Sequence, residues 1–201
     1  MSPSASPASA RAYVSTTKPL RQLKLVFWGP GASGKTTLLR HLSTRLSPLV
    51  VSGRIEISTS EDHTLLSDYL ALKMPLKNFI ILLHVVTTTG QRRLLVTREF
   101  AAAGADGVLF VADSRPSAMT ENRRSFEELQ AYIGATGRSI PVVIMANKQD
   151  LSGCLSTETL RMRLEPPPEI PAFGASALLG SGVQAVFQRL VRDVLVRYVA
   201  P

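Results

Sequence analysis

Short, densely apolar runs alternate along this chain with longer segments whose apolar residues recur at three- and four-residue steps. "LKLVFW" (23–28), "GVLFVAD" (107–113), "PVVIMAN" (141–147) and "EIPAFGA" (169–175) read as strands, the first three buried on both faces. "DYLALKMP" (68–75) and "FIILLHVV" (79–86) flank a short Lys/Pro/Asn turn, which predicts an antiparallel hairpin. Helical spacing marks "KTTLLRHLSTRL" (35–46), "QRRLLVTREFAAAG" (91–104, stopped by Gly104) and "MTENRRSFEELQAYIG" (119–134, ended by Gly134). It also marks "STETLRMRL" (156–164), with Ser156 or Thr157 as N-cap. In the last helix Val183, Val186, Phe187, Leu190, Val191, Val194, Leu195 and Tyr198 form one apolar stripe, with Arg189, Arg192 and Arg197 mainly elsewhere. Such a stripe suits a terminal helix packed on a sheet better than one lying on a membrane. The predicted fold is α/β, a single domain over 23–199 with a doubly wound, mostly parallel six-stranded sheet and one antiparallel edge hairpin.

Residues 1–22, "MSPSASPASARAYVSTTKPLRQ", are rich in Ser, Ala and Pro and hold few large apolar groups. They cannot bury enough surface to offset chain entropy, so a disordered N-terminal tail is expected. At 201 residues, 45% hydrophobic and 19% charged, the chain matches a soluble globular domain. A single cysteine, Cys154, excludes a disulfide framework within the chain and reads as an ordinary loop or core thiol.

The net charge of +8 is uneven, because no acid precedes Glu56 while eight basic residues do. The rest of the chain is neutral, so a nucleic-acid partner is not implied. The basic tail can be a solvated leader or a peripheral contact to an acidic partner or membrane surface. No apolar run approaches the roughly 20 residues that span a bilayer, and neither an acylation glycine nor a prenylation box is present. A cytoplasmic protein without transmembrane segment or lipid anchor is expected.

Chemistry enters with "GPGASGKT" (Gly29 to Thr36), which fits the phosphate-loop pattern between a strand and a helix. Gly29, Gly31 and Gly34 let backbone N–H groups wrap phosphates, with Ala32, Ser33 and Thr37 completing the cradle. Lys35 supplies positive charge and Thr36 a hydroxyl for Mg²⁺. "NKQD" (Asn147 to Asp150) follows a buried strand about 110 residues later. Asp150 can accept both the ring N–H and the exocyclic amine of guanine, a donor pair that adenine lacks. Asn147 would fix the loop, Lys148 would lie along the ring, and Ser176 and Ala177 in "GASAL" would offer backbone N–H to the base carbonyl.

With these motifs the chain resembles the Ras-like small GTPases over roughly 23–199, and within them the bacterial MglA-type polarity and gliding-motility GTPases. The residues that carry the resemblance are "GPGASGKTT", "TSEDHTLLSDYLAL", "TTTGQ", "AGADGVLFVADS", "NKQD" and "GSGV". It implies a P-loop NTPase domain, GTP/GDP and Mg²⁺ as ligands, and a roadblock-type activating protein as partner. It also implies switch roles for Thr64, Gly90 and Gln91, with Gly90 N–H sensing the γ-phosphate and Gln91 orienting the attacking water. Gln91 beside Arg92 and Arg93 is otherwise a plain helix start.

Two positions depart from common patterns. Thr87 stands where most such proteins place an acid that serves Mg²⁺ through a water, and this subfamily tolerates threonine there. Without that acid the metal would rely on Thr36, the phosphates, Thr64 and, through a water, Thr87, and nucleotide retention should depend less steeply on Mg²⁺. His63 stands where the subfamily commonly has an arginine finger. It is either a surrogate finger or an ordinary loop residue, with Arg92 and Arg54 as substitutes. His41 and His84 read as structural. The function read from these residues is a GTP-binding switch with slow hydrolysis, acting in polarity or motility control. Its alternative is a non-hydrolysing guanine-nucleotide-bound scaffold; a P-loop ATPase or small-molecule kinase fits Asp150 poorly.

Overall fold

A computed structural model of the chain describes residues 18–52, 68–88 and 95–199. The strands are β1 (Leu20–Trp28), β2 (Val50–Ser52), β3 (Tyr69–Pro75), β4 (Ile80–Thr87), β5 (Gly107–Asp113), β6 (Val142–Asn147) and β7 (Ala172–Gly174). The helices are α1 (Lys35–Arg45), α2 (Leu95–Ala102), α3 (Met119–Thr136), α4 (Thr157–Leu164) and α5 (Val183–Val199). One sheet joins all strands in the order β2-β3-β4-β1-β5-β6-β7. Every neighbour pair is parallel except β3 with β2 and with β4, so β3 alone runs against the rest.

The odd and even positions of β1 divide the core. Leu23, Leu25 and Phe27 face α1 and α5, joining Leu38, Leu39 and Leu42 with Val183, Val186, Phe187, Leu190 and Val194. Val26 and Trp28 face the other way, into Phe110, Ile144, Phe126, Leu129, Leu160 and Leu164 under α3 and α4. β5 and β6 are buried at every position, which is why they read as unbroken apolar runs. The outer face of the hairpin is more open, and there His84 meets the Tyr69 hydroxyl at 2.5 Å and the Gln22 amide oxygen at 3.2 Å. Both His84 and His41 (whose ring packs over Gly180) are structural, as the sequence suggests.

The α/β class, the parallel sheet and the β3–β4 hairpin agree with the sequence. Its six strands become seven, because Val50–Ser52 adds to the exposed edge of β3 and lies outside the hairpin. Three residues carry too little pattern to be read; the pairing edge of β3 makes them a strand. The first strand starts at Leu20, where its backbone ladder with Ile80 begins, three residues before the apolar run. α3 continues past Gly134, whose missing side chain faces open space, and ends where Gly137 turns left-handed at φ 62°. Tyr198 leaves the apolar stripe of α5: it is exposed and its hydroxyl donates to Asp106 at 2.7 Å. Among the described residues no helix is long and apolar enough to cross a membrane.

The strand order reverses at β1, whose following strands lie on one side and β5 on the other. The crevice at the carboxyl ends of β1 and β5 is therefore where an open α/β sheet binds ligands, and the turn after β1 is the phosphate-loop motif. The N-cap of α4 is Ser156, whose Oγ accepts from the Thr159 N–H at 3.1 Å. Replacing it by alanine should cost about 1 kcal/mol, seen in a thermal melt as a fall in Tm of roughly 2–4 °C.

Candidate nucleotide-binding site

The loop from Gly29 to Gly34 leaves β1 and enters α1 through conformations that few residues adopt. Gly29 has φ 148°, and a Cβ there would lie 2.2 Å from the Val111 carbonyl oxygen of β5. Gly34 has φ 102°, and a Cβ there would lie 2.3 Å from the Asn147 amide nitrogen. Ala32 also takes a left-handed turn at φ 57°. These constraints press the loop against the ends of β5 and β6 while Gly31 and Ala32 remain exposed. Ser33 is fully buried, and its hydroxyl has no partner among the described residues. A buried unsatisfied hydroxyl in a loop of this shape suits an anionic ligand.

Lys35 turns back over the loop, donating to the carbonyls of Gly29 at 2.8 Å and Pro30 at 2.7 Å. Burial, and next the Arg98 guanidinium, lower its pKa to about 7, while the Asp68 carboxylate pulls the other way. A phosphate group would supply the countercharge that this buried ammonium lacks. Thr36, in the first turn of α1, donates its hydroxyl to Asp68 Oδ2 at 2.6 Å. Thr37 follows on the same turn, half-buried.

Asn147 ends β6 and reaches across to two other segments. Its amide nitrogen donates to the Ser33 carbonyl at 2.7 Å, and its amide oxygen accepts from the Ala177 N–H at 2.8 Å. Phosphate loop, β6 and the loop after β7 are thus joined by one buried side chain. Lys148 follows at φ 71° and its ammonium meets Asp113 Oδ2 at 2.8 Å. Asp150 is exposed, with no partner among the described residues, and is free to accept from a base.

Ser176 and Ala177 lie beside Asn147, but their N–H groups are already engaged, with the Ser181 carbonyl and with Asn147. The open donor pair expected from "GASAL" is absent; these residues shape the wall instead. Thr87 is 3% exposed, and its hydroxyl accepts from the Asp68 N–H at 2.9 Å. His63, Thr64, Gly90 and Gln91, with Arg54, Arg92 and Arg93, lie outside the described residues.

Two residues of this site escaped the sequence reading. Asp113 was read only as a strand end. It is 2% exposed and takes Lys148 together with a bidentate grip from Arg115, Nε at 3.1 Å and Nη2 at 2.6 Å. Burial pushes the Asp113 carboxyl up, but hydrogen bonds from Arg115 and Lys148 outweigh it and hold the group below the usual carboxylate range. An acid closing a buried parallel strand was the available signal. Asp68 sits in the quoted "TSEDHTLLSDYLAL", where the sequence alone gives it no part beyond opening the strand "DYLALKMP". A cavity of about 1040 Å³, lined by residues such as Leu46 and Phe187, shares no residue with the phosphate loop or with 147–150.

A glycine-rich turn at the reversal point of a parallel sheet, a buried lysine over it and a second loop tied to it by Asn147 define a P-loop nucleotide-binding α/β protein. A model of the Ras family matches residues 24–196, and the chain belongs to that family. It is similar to the mutual gliding-motility protein MglA of Myxococcus xanthus (strain DK1622), 34% identical over 176 residues covering 86% of this chain and 90% of that one. Similarity extends to Ras-related protein RABG3f of Arabidopsis thaliana, 24% identical over 86% of this chain and 82% of the relative. ADP-ribosylation factor-like protein 6 of Caenorhabditis briggsae is 26% identical over 87% of each chain. The fold and these relatives place it among the small GTPases.

Asn147→Ala would orphan a buried carbonyl and a buried N–H, at a cost of about 2–4 kcal/mol, which denaturant unfolding would register. The same variant should bind nucleotide far more weakly. Lys35, its pKa lowered to about 7 by burial, must be charged against phosphate. Binding of GDP at pH 8 should therefore take up on the order of one proton, and at pH 6 almost none. Affinity then falls as pH rises above 7; calorimetry in buffers of different ionisation heat reads the uptake directly.

Proposed function

We propose that this chain is a GTP-binding molecular switch that hydrolyses GTP slowly to GDP, stimulated by a roadblock-type activating partner. The observation that carries this reading is the Asn147 bridge, which makes phosphate loop and base loop one unit. Gly29, Gly31, Ala32, Ser33, Gly34, Lys35, Thr36 and Thr37 bind the phosphates, with Thr36 also on Mg²⁺. Asn147, Lys148 and Asp150 take the guanine against the wall formed by Ser176 and Ala177. Lys148 is aimed by Asp113, so its aliphatic stem can lie along the ring while its charge is spent on the carboxylate.

Gln91 orients the hydrolytic water, Gly90 reports the γ-phosphate and Thr64 reaches the metal. His63 is the residue in the position of an arginine finger. A neutral imidazole contributes far less than a guanidinium to phosphoryl transfer, hence the slow intrinsic rate. The similarity to a gliding-motility protein supports a place in polarity or motility control within the cytoplasm. The basic tail offers peripheral contact to an acidic surface.

Single-turnover hydrolysis of pre-loaded GTP in excess ATP tests the reading. GTP should stay bound against ATP and decay slowly, and a roadblock-type partner should speed the decay by at least tenfold. Gln91→Leu should remove that acceleration. GTP held intact for hours with and without the partner would favour the guanine-nucleotide-bound scaffold instead.

A further inference from the structure

The acid missing from Thr87 has a counterpart one strand away. Asp68 immediately precedes β3, and Thr87 closes β4, directly opposite it in the antiparallel ladder. Two hydrogen bonds join the pair: the Asp68 N–H donates to Thr87 Oγ1 at 2.9 Å, and the Thr87 N–H donates to the Asp68 carbonyl at 2.9 Å. Neighbouring strands stand about 5 Å apart, so a carboxylate on one can serve a point next to the end of the other. The Asp68 carboxylate does reach that point, accepting the Thr36 hydroxyl at 2.6 Å, in the range of a bond to an ionised acceptor.

We propose that Asp68 is the carboxylate that serves the nucleotide's Mg²⁺ here, in place of the acid absent at Thr87. The proposal rests on the guanine-nucleotide reading above. The donor set fits the ion: Mg²⁺ takes hard oxygen ligands, keeps several waters and is usually bound by one or two protein groups plus phosphates. By donating its hydrogen bond to Asp68, Thr36 keeps its lone pairs for a cation and gains electron density. Asp68 also acts electrostatically on the Lys35 ammonium, so one carboxylate neighbours both the phosphate lysine and the metal hydroxyl. Among the described residues no three His, Cys, Asp or Glu side chains converge on a metal site. The ion therefore needs the nucleotide's oxygens, and its binding is conditional on the nucleotide.

Thr87 takes a different part from the one its position suggests. Its buried hydroxyl holds the Asp68 backbone, so it is a positioning residue for the acid and not itself a group on the metal's water. The lost charge is restored, and the shallow Mg²⁺ dependence that a bare threonine would give does not follow. Retention of GDP is expected to depend steeply on Mg²⁺.

Release of methylanthraniloyl-labelled GDP from the full chain, across a Mg²⁺ titration and in chelator, tests this. The wild-type chain should release the label at least tenfold faster in chelator. Asp68→Asn, which keeps the size of the side chain and an acceptor for Thr36, should raise the half-saturating Mg²⁺ concentration by ~10–100-fold. Its own release in chelator is the metal-free baseline against which that shift is read. The double variant Asp68→Asn/Thr87→Asp returns the charge to the other strand and should recover most of the response, which a merely structural role for Asp68 would not allow. Labelled GDP held tightly by the wild-type chain but released equally fast with and without Mg²⁺ overturns the proposal without any variant. So does an unshifted titration in Asp68→Asn. Failure of the wild-type chain to hold labelled GDP against ATP would remove the guanine reading itself, a separate outcome.

Discussion

The amide of Asn147 is the contact on which the site depends, because it bonds at once to the phosphate loop and to the loop after β7. Its geometry demands that three chain segments arrive within hydrogen-bond range of one another. The parallel sheet delivers them, since β1, β6 and β7 all end on the same edge. Glycine at 34 is required for the same reason: any side chain there would occupy the space of the Asn147 amide. The burial of β5 and β6 on both faces holds that edge rigid, so the loops above it inherit a fixed spacing.

Charge at this edge is arranged in opposed pairs. Asp113 holds Lys148 and Arg115 on the base side. Asp68 holds the Thr36 hydroxyl on the phosphate side, while Lys35 lies buried between loop carbonyls. A buried cation with carbonyl partners and no carboxylate bonded to it is poised for an anion, and burial, followed by the Arg98 guanidinium, lowers its pKa. Two acids thus flank the nucleotide-binding loops, and each lies within a stretch that carries the family resemblance.

What was legible in the sequence follows contact range. The strand–turn–helix around Gly29 to Thr36 was legible because a phosphate cradle is built from consecutive backbone N–H groups. Ser156 was legible as a cap because it bonds three residues on. The pairing of Thr36 with Asp68 spans 32 positions, Lys148 with Asp113 spans 35, and Asn147 with Ser33 spans 114. No local pattern announces such contacts. The strand Val50–Ser52 was missed for a related reason, since it exists through the edge it pairs with and not through its own three residues.

The sequence by itself determined the class of fold, the glycine-rich turn and the tetrapeptide Asn147 to Asp150 that closes a buried strand, because periodicity and consecutive backbone geometry are properties of neighbours along the chain. Only the tertiary structure decided which carboxylate stands beside Thr36. Read along β4, the chain lacks the acid; read across the β3–β4 ladder, Asp68 supplies one. A sheet places side chains from distant positions a few ångströms apart, and electrostatics depends on distance in space, not on order along the chain.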